Sequence, residues 1–404
     1  MGYVVLLVLL AVVLGTVGWG QDTHRDPNDL LRNTPLRITS GVAGRALNFN
    51  AFWPRFDHVE AGRSVAYFEG GIKATYTIDP RLQATMERFF KEHSVPYGVF
   101  VAIHPPTGRV LAMVEYSAQE PEARHLALRA TYPAASIIKL VTAAATLEGN
   151  FANPNTVIAY HGSPYQMGPS SWRDHPRKDK IKTTFAEALG DSNNVVFAKM
   201  ALRWLNPSRL MAYGERFQFN HPIPFELPLQ VSPMAIEAGR TGLAEAAAGF
   251  GHVGLSPLHA ALMAAGLAHD GVMMAPCLVD VVQDEQGEAL YACTPRPHAT
   301  LVAPETARTI REMMALTVIS GTSRKAFNNG NTPPALRGIR IGGKTGSLTG
   351  HHPPGKNSWF IGMAPLSSPE IAVAALVVNH PDNLKIKASA VAREGLSAYF
   401  SKGL

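Results

Sequence analysis

The chain has 404 residues, of which 46% are hydrophobic and 17% charged, and its formal net charge at pH 7 is +6. A chain of this length and apolar content can bury a large core, and no internal repeat or low-complexity tract interrupts it. The positive charge suits an anionic surface or polymer. No basic run interleaved with aromatic residues supports nucleic-acid binding, so nucleic acid is not an expected partner.

The N-terminus is nearly continuously apolar over residues 3–19, and a polar, arginine-containing stretch follows from Gln21. We expect residues 1–20 to be an uncleaved transmembrane helix. A signal peptide is the alternative, because the segment is short for a span of about 20 residues and no Lys or Arg precedes it. Residues 21–69 are expected to form a juxtamembrane linker with a small element, and residues 70–404 the main domain. Alternation around Gly70-Gly71, over residues 64–77, predicts a hairpin.

The first motif is S-I-I-K at residues 136–139, which opens an Ala- and Leu-rich segment. This composition, with Pro133 upstream, favours a helix that places Ser136 and Lys139 on one face. The segment is apolar all round until Glu148, so we expect burial to lower the pKa of Lys139 and leave an amine that can take the Ser136 proton. The N–H of Ser136, at the helix start, is a candidate oxyanion donor. A helix-capping serine beside a snorkelling lysine is the alternative.

The second motif is S-N-N at residues 192–194, where a helical pattern breaks at Gly190 and another apolar run follows. This pattern predicts a loop between two helices. A hydroxyl at Ser192 can relay a proton between the lysine and a leaving amine, and the carboxamide of Asn194 can donate to and accept from a substrate peptide bond. The alternative, which is compatible with catalysis, is that Asp191 or Ser192 caps the second helix.

The third motif is K-T-G at residues 344–346. The preceding residues 336–341 alternate as a half-buried edge strand does, and two glycines then let a ligand approach the backbone. Lys344 supplies positive charge and Thr345 a hydroxyl for a substrate carboxylate. Gly346 leaves room for a substrate strand, and the N–H of Ser347 is the candidate second oxyanion donor.

Residues 338–345 also fit the phosphate-loop pattern G-x-x-x-x-G-K-[ST], which requires a strand before it and a helix after it. Residues 339–341 inside the pattern themselves show strand character. Residues 346–350, with the prolines beyond them, cannot begin a helix. The context therefore disfavours a phosphate-binding loop.

In this order and spacing the three motifs resemble the serine D,D-transpeptidase domains of the penicillin-binding protein family. Segments at 76–83, 107–113, 249–258, 321–322 and 358–365 are also similar to family segments, so the resemblance runs from about Gly70 to the C-terminus. His252 is a departure, because the family usually has a polar amide there. The second motif has the S-x-N form of transpeptidases rather than the S-x-V form of one lactamase class.

The resemblance implies an α/β (α+β) fold, in which helices sandwich a five-stranded antiparallel sheet and a helix-rich subdomain carries Ser136 and Ser192. The residue patterns are compatible with it. They predict strands at 98–103 and 109–116, a third strand ending at Lys344, further strands at 359–363 and 370–378, and a closing helix at 388–400.

The resemblance also implies a transpeptidase acting on peptidoglycan stem peptides, acylated at its serine by substrate and by β-lactams, and needing no cofactor. The expected catalytic residues are Ser136, Lys139, Ser192 and Lys344, and the expected substrate-binding residues are Asn194, Thr345, Gly346 and Ser347. D,D-carboxypeptidase and β-lactamase share this acylation chemistry and stay open. So does a non-catalytic β-lactam sensor or cell-wall scaffold.

The N-terminal anchor would make the chain a single-pass protein of the cytoplasmic membrane with its catalytic domain on the periplasmic side. A glycosyltransferase is a further expected partner. Among the 15 histidines only His351 and His352 are adjacent, and no metal-ligand spacing occurs, so no metal site is expected.

Cys277 and Cys293 are the only cysteines, and they flank two segments of strand character, 278–282 and 288–291. Folding this stretch about residue 285 places position 277 opposite 293 and position 281 opposite 289. A disulfide is then within reach, and two separate buried thiols remain the alternative.

Overall fold

The computed structural model describes residues 37–39, 46–48, 56, 58–328, 330, 332–380, 384 and 386–401, all within the unit Pro35–Leu404. The predicted anchor at residues 1–20 lies outside the described residues. Within the ranges just given, no helix is both long and apolar enough to cross a membrane.

The strands have these bounds: β1 Arg37–Thr39, β2 Ala46–Asn48, β3 Val59–Glu60, β4 Arg63–Phe68, β5 Ile72–Tyr76, β6 Tyr97–His104, β7 Arg109–Tyr116, β8 Tyr132–Pro133, β9 Val157–Tyr160, β10 Ile181–Thr184, β11 Met234–Ala235, β12 His252–Leu255, β13 Val272–Met274, β14 Val279–Gln283, β15 Ala289–Ala292, β16 Pro297–Thr300, β17 Gly342–His351, β18 Pro354–Ala364 and β19 Ile371–Asn379. The helices are α1 Pro80–Glu92, α2 Lys139–Glu148, α3 Pro169–Trp172, α4 Phe185–Gly190, α5 Asn194–Trp204, α6 Pro207–Arg216, α7 Gly239–Ala248, α8 Pro257–Ala268, α9 Pro304–Ile319, α10 Arg324–Phe327 and α11 Ala388–Phe400.

The central sheet has five antiparallel strands in the order β17-β18-β19-β6-β7, which confirms the predicted sheet and places β17 at its edge. Helices cover both faces. Along β19, Val373, Ala375 and Val377 pack into a core with α1 and α11, whereas Ala374 and Leu376 pack into the larger core with α2 and α8. Burial on both faces explains why this strand is an uninterrupted apolar run instead of an alternating one.

A second five-stranded sheet, in the order β15-β14-β5-β4-β3, unites two predicted hairpins that lie about 200 residues apart in the chain. The predicted turn at Gly70-Gly71 joins β4 to β5, and both glycines have positive φ. Position 70, the expected start of the main domain, therefore falls between two strands that pair with each other.

The strand predicted at residues 336–341 is wrong. Residues 334–336 form a 3-10 turn, and β17 begins at Gly342, so the K-T-G motif lies within the edge strand instead of after it. The glycines before the motif serve internal packing. A Cβ on Gly343 would lie 2.4 Å from the ring of Phe360, and one on Gly342 would lie 2.7 Å from Leu366. They therefore admit neighbouring side chains and not a ligand.

The cysteines are joined in the structure, with their Cα atoms 6.4 Å apart. The predicted hairpin forms, but its predicted register is wrong, because Val281 pairs with Ala292 and a bulge follows Val282. The disulfide between Cys277 and Cys293 forms despite this different register. The backbone N–H of Cys293 donates to the carbonyl of Asp280 at 2.8 Å, which brings Cys293 back close to Cys277.

We expect protein made in an oxidising compartment to yield the two cysteine peptides linked in non-reducing peptide mapping. Replacing both cysteines by alanine should lower the free energy of unfolding by about 3 kcal/mol, because the bond closes a loop of 16 residues. Two free thiols that alkylate in the folded protein would contradict the pairing.

Candidate active site

The three sequence motifs meet at one cleft between the free edge of β17 and the helix-rich region. The cleft has a volume of about 730 Å³ and is lined by Ser136, Tyr165, Ser192, Asn194, Gly249, Phe250, Thr322, Thr345, Gly346, Ser347, Leu348, Thr349, Lys356, Ser358, Trp359, Asn379, Leu384, Lys387 and Ser389. Every predicted site residue except the two lysines Lys139 and Lys344 lines this cleft. Both lysines are fully buried directly behind it.

Ser136 lies on a 3-10 turn, Ala135–Ile138, that leads directly into α2, so the predicted helix begins with a tighter first turn. Ala135 has a φ of +49°, which is uncommon for a residue with a side chain and re-aims the backbone just before Ser136. The indole N–H of Trp359 in β18 donates to the carbonyl of Pro133 at 2.9 Å, which ties the approach to this turn to the central sheet.

Lys139 is fully enclosed by its neighbours at the site. Its Nζ lies 2.7 Å from Ser136 Oγ, and it donates to Asn194 Oδ1 at 2.6 Å and to the Ser192 carbonyl at 3.2 Å. Burial, and to a lesser extent the charge of Lys344, holds the pKa of Lys139 well below its usual range. The predicted neutral amine beside the hydroxyl therefore has a physical basis.

Lys344 contacts Ser192, the serine whose carbonyl accepts from Lys139. Its Nζ donates to Ser192 Oγ at 2.9 Å and to the carbonyl of Thr345 at 2.8 Å. Burial lowers the pKa of Lys344 to about 7. Since Lys139 Nζ lies 3.3 Å from the same Ser192 Oγ, this hydroxyl bridges the two lysines and offers a path for a proton between them.

The S-N-N segment is the predicted loop between α4 and α5, and its cap differs from the expected one. Asn193 caps α5 by accepting the N–H of Val196 at 3.0 Å, so neither Asp191 nor Ser192 has that role. This leaves Ser192, with a φ of +57°, pointed at the lysines.

The carboxamide of Asn194 is engaged within the protein. Its oxygen accepts from Lys139, and its Nδ2 donates to the carbonyl of Tyr165 at 3.1 Å. A substrate peptide bond that used this amide would replace the Tyr165 contact. The expected direct role of Asn194 in substrate binding stays a prediction, while its contact with Lys139 is visible.

The remaining K-T-G residues form the floor of the cleft. Thr345 Oγ1 lies 2.6 Å from Thr322 Oγ1, so the two hydroxyls form a hydrogen bond that fixes the orientation of both. A Cβ on Gly346 would lie 3.3 Å from both Ala135 and Ile137, which means that the bare glycine lets β17 approach the nucleophile turn. Ser347 lies on the edge of β17 that pairs with no strand among the described residues, and half of the backbone N–H groups of such an edge point away from the sheet.

No group of three or more metal-ligating side chains occurs in the part of the chain that the structure describes. His351 and His352 are absent from the cleft lining, and the carbonyl of His352 accepts from Thr131 at 2.7 Å. The cleft brings together a hydroxyl, two amines with lowered pKa values and a second hydroxyl between them, and this set of groups is suited to acyl transfer.

A family model described as the penicillin binding protein transpeptidase domain matches residues 98–396. The chain belongs to this family. Peptidoglycan D,D-transpeptidase PbpA of Mycolicibacterium smegmatis is 28% identical to it over 346 residues, which cover 73% of this chain and 64% of that protein. PbpA of Mycobacterium tuberculosis is 26% identical over 372 residues, which cover 82% and 73%.

The fold of this penicillin-binding protein is also that of solved relatives. The D,D-transpeptidase domain of a peptidoglycan glycosyltransferase from Eggerthella lenta matches with a TM-score of 0.67 and 26% identity over 81% of this chain and 82% of that one. The chain spans 64% of the length of the M. smegmatis relative, which is less than two thirds, and the family match at residues 98–396 includes Ser136, Ser192 and Lys344.

Several residues that line the cleft were not predicted as site residues, and three of them lie close to the catalytic groups, although two, Gly249 and Thr322, fall in segments similar to the family's. Tyr165 lies in a polar loop and presents an exposed ring, and Thr322 follows the C-terminus of α9 in a short turn. Gly249 ends α7 with a φ of +102°, and a helix followed by glycine was a signal that could have identified it. A Cβ on Gly249 would lie 2.4 Å from the carbonyl oxygen of Ala135 and 2.7 Å from the nitrogen of Ser136.

We expect Gly249→Ala to slow acylation of Ser136 by at least about tenfold, because the added methyl group would displace the nucleophile turn. Gly251→Ala is the matched control. Gly251 also has a positive φ, +81°, but a Cβ there meets nothing within 4 Å. Stopped-flow acylation by a chromogenic β-lactam measures both variants, and equal rates for the two would show that the Gly249 contact does not position Ser136.

Proposed function

We propose that this penicillin-binding protein is a serine D,D-transpeptidase that cross-links peptidoglycan stem peptides and is acylated at Ser136 by β-lactams. The observation that supports this most directly is the contact between Ser136 Oγ and the buried Lys139 amine, at 2.7 Å. The names of the M. smegmatis and M. tuberculosis relatives agree with it.

In the acylation step, Ser136 Oγ attacks the carbonyl carbon of the penultimate D-alanine, and its proton passes to the neutral Nζ of Lys139. The N–H groups of Ser136 and Ser347 would hold the developing oxyanion. As the tetrahedral intermediate collapses, the departing D-alanine nitrogen receives a proton through Ser192 Oγ, which Lys344 supports from the other side. The products of this step are the ester on Ser136 and free D-alanine.

In the second step the amine of a neighbouring stem peptide attacks the ester carbonyl. Its proton passes to the base and then back to Ser136 Oγ, so the new peptide bond forms and the enzyme is regenerated. In the preceding acylation step, the hydroxyl of Thr345 would orient the donor through the carboxylate of its terminal D-alanine. This hydroxyl is already fixed by Thr322, which limits the entropy lost on binding.

The apolar N-terminal segment indicates where in the cell this activity would take place. We propose that residues 1–20 anchor the chain in the cytoplasmic membrane, with the catalytic domain on the periplasmic side, because residues 3–19 are nearly all apolar. A glycosyltransferase that supplies nascent strands would be the matching partner.

We expect intact-protein mass spectrometry with benzylpenicillin to show one adduct on the wild-type protein and none on Ser136→Ala. Lys139→Ala should slow adduct formation by about 10²- to 10⁴-fold through loss of the base, and Thr345→Ala by about tenfold through loss of one binding contact. Ser208→Ala, at an exposed serine of α6, is the control.

The same sample followed over hours separates the related activities. An adduct that persists agrees with a transpeptidase, and one that turns over within minutes identifies a β-lactamase. A wild-type protein that never forms an adduct, or a Ser136→Ala variant that labels at the wild-type rate, would contradict the proposal.

A further inference from the structure

The cleft continues beyond the catalytic groups, over the edge of β17 and onto the β17-β18 hairpin. Cross-strand pairing places two rows of residues there, Ser347 opposite Ser358 and Thr349 opposite Lys356. Side chains two residues apart on a strand share a face, so all four lie on the same face of the sheet. All four also line the cleft that contains Ser136.

We call the part of the cleft lined by Ser347, Thr349, Lys356 and Ser358 the hairpin lobe, or the lobe for short. A second lysine, Lys387, also lines the cleft beside it. Lys387 immediately precedes α11, and the N–H of the next residue, Ala388, donates to Ser358 Oγ at 3.2 Å. Lys356 is two residues from Ser358 on the same strand face, so both lysines lie beside the Ser358 side chain. Both are exposed and line the cleft.

The charge of the lobe is unbalanced. No Asp or Glu occurs among the described residues that line the cleft, and neither Lys356 nor Lys387 forms an ion pair with any residue the structure describes. Two ammonium groups and the hydroxyls of Ser358 and Thr349 therefore line one concave surface, and no acidic residue among those the structure describes lines it with them. Such a surface favours an anion and disfavours a cation.

The direction of a substrate strand along β17 indicates which anion this is. In the proposed function the carboxylate of the departing D-alanine lies at the Lys344-Thr345 end of the strand. The donor peptide then continues past Ser347 towards Thr349, a distance of about 7 Å for two residues. The amino acid that precedes D-alanyl-D-alanine would therefore place its side chain near Lys356.

We propose that Lys356 and Lys387 bind a carboxylate at the end of that preceding side chain, so that the enzyme prefers donors with a carboxylate-bearing diamino acid over donors with a lysine or a carboxamide. This inference rests on the proposed function and names the substrate class. A lysine side chain, which ends in an ammonium group, would meet two like charges.

The test compares three pentapeptides that end in D-Ala-D-Ala and carry meso-diaminopimelate, its side-chain carboxamide or L-lysine at the third position. The full chain is assayed for D-alanine release, and the quantity read is the ratio of kcat/KM for the carboxylate peptide to that for the carboxamide. We expect a ratio of about ten in the wild-type protein, falling to about one in Lys356→Gln/Lys387→Gln.

Using a ratio removes any general loss of activity in the variants. Lys356→Arg/Lys387→Arg should retain the preference, because it keeps both charges, and Lys91→Gln, on the exposed side of α1, should not change it. Equal use of the carboxylate and carboxamide peptides by the wild-type protein would overturn the inference. So would a double glutamine variant that keeps the wild-type ratio.

Failure of the proposed function itself has a different signature, since the wild-type protein would then form no benzylpenicillin adduct and release D-alanine from no peptide. In that case calorimetric titration of the protein with the same three peptides decides the inference. Tighter binding of the carboxylate peptide, lost in Lys356→Gln/Lys387→Gln, supports it, and equal or undetectable binding of all three overturns it.

Discussion

The burial of one lysine amine is the constraint on which the site depends. Lys139 is completely excluded from solvent, and a charged amine there would carry a large desolvation cost. A neutral amine has two N–H donors and one lone pair. The oxygens of Asn194 and the Ser192 backbone accept the two donors, which leaves the lone pair for the hydroxyl of Ser136 at 2.7 Å. The same geometry that makes burial tolerable therefore orients the base.

The surrounding fold keeps these partners in place. Asn194 is the first residue of α5. The backbone N–H of Asn194 donates to the carbonyl of Pro164, in the loop before α3, at 2.7 Å, which keeps Asn194 in place. The loop that follows α3 is fastened to α5 as well, because the buried Lys199 donates to Asp179 at 2.6 Å. On the other side, Gly249 and the edge strand β17 confine the turn that carries Ser136.

The sequence predicted which residues meet at the cleft better than it predicted their surroundings. Ser136 and Lys139 could be paired because i, i+3 spacing on a helix is a local pattern, and Ser192 could be placed by a break between helices. Lys344 was identified through the K-T-G motif and the resemblance of the three motifs to the family. The start of β17 was misplaced, because a glycine-rich strand has little intrinsic β-propensity and is stabilised by pairing with β18. The contacts of Asn194, the second five-stranded sheet and the lysines at the hairpin depend on residues far apart in the chain, which no local pattern reveals.

The central claim is that the Lys139 amine is neutral before substrate binds. Labelling lysines with ¹³C at Cε and following their shifts with pH measures this directly, and the Lys139 resonance is assigned by its loss in Lys139→Ala. Because burial lowers the pKa of Lys139, its signal should change to that of a neutral amine at a pH well below the pH at which an exposed lysine titrates. A Lys139 signal that stays in the charged form up to about pH 10, as for an exposed lysine, would contradict the account.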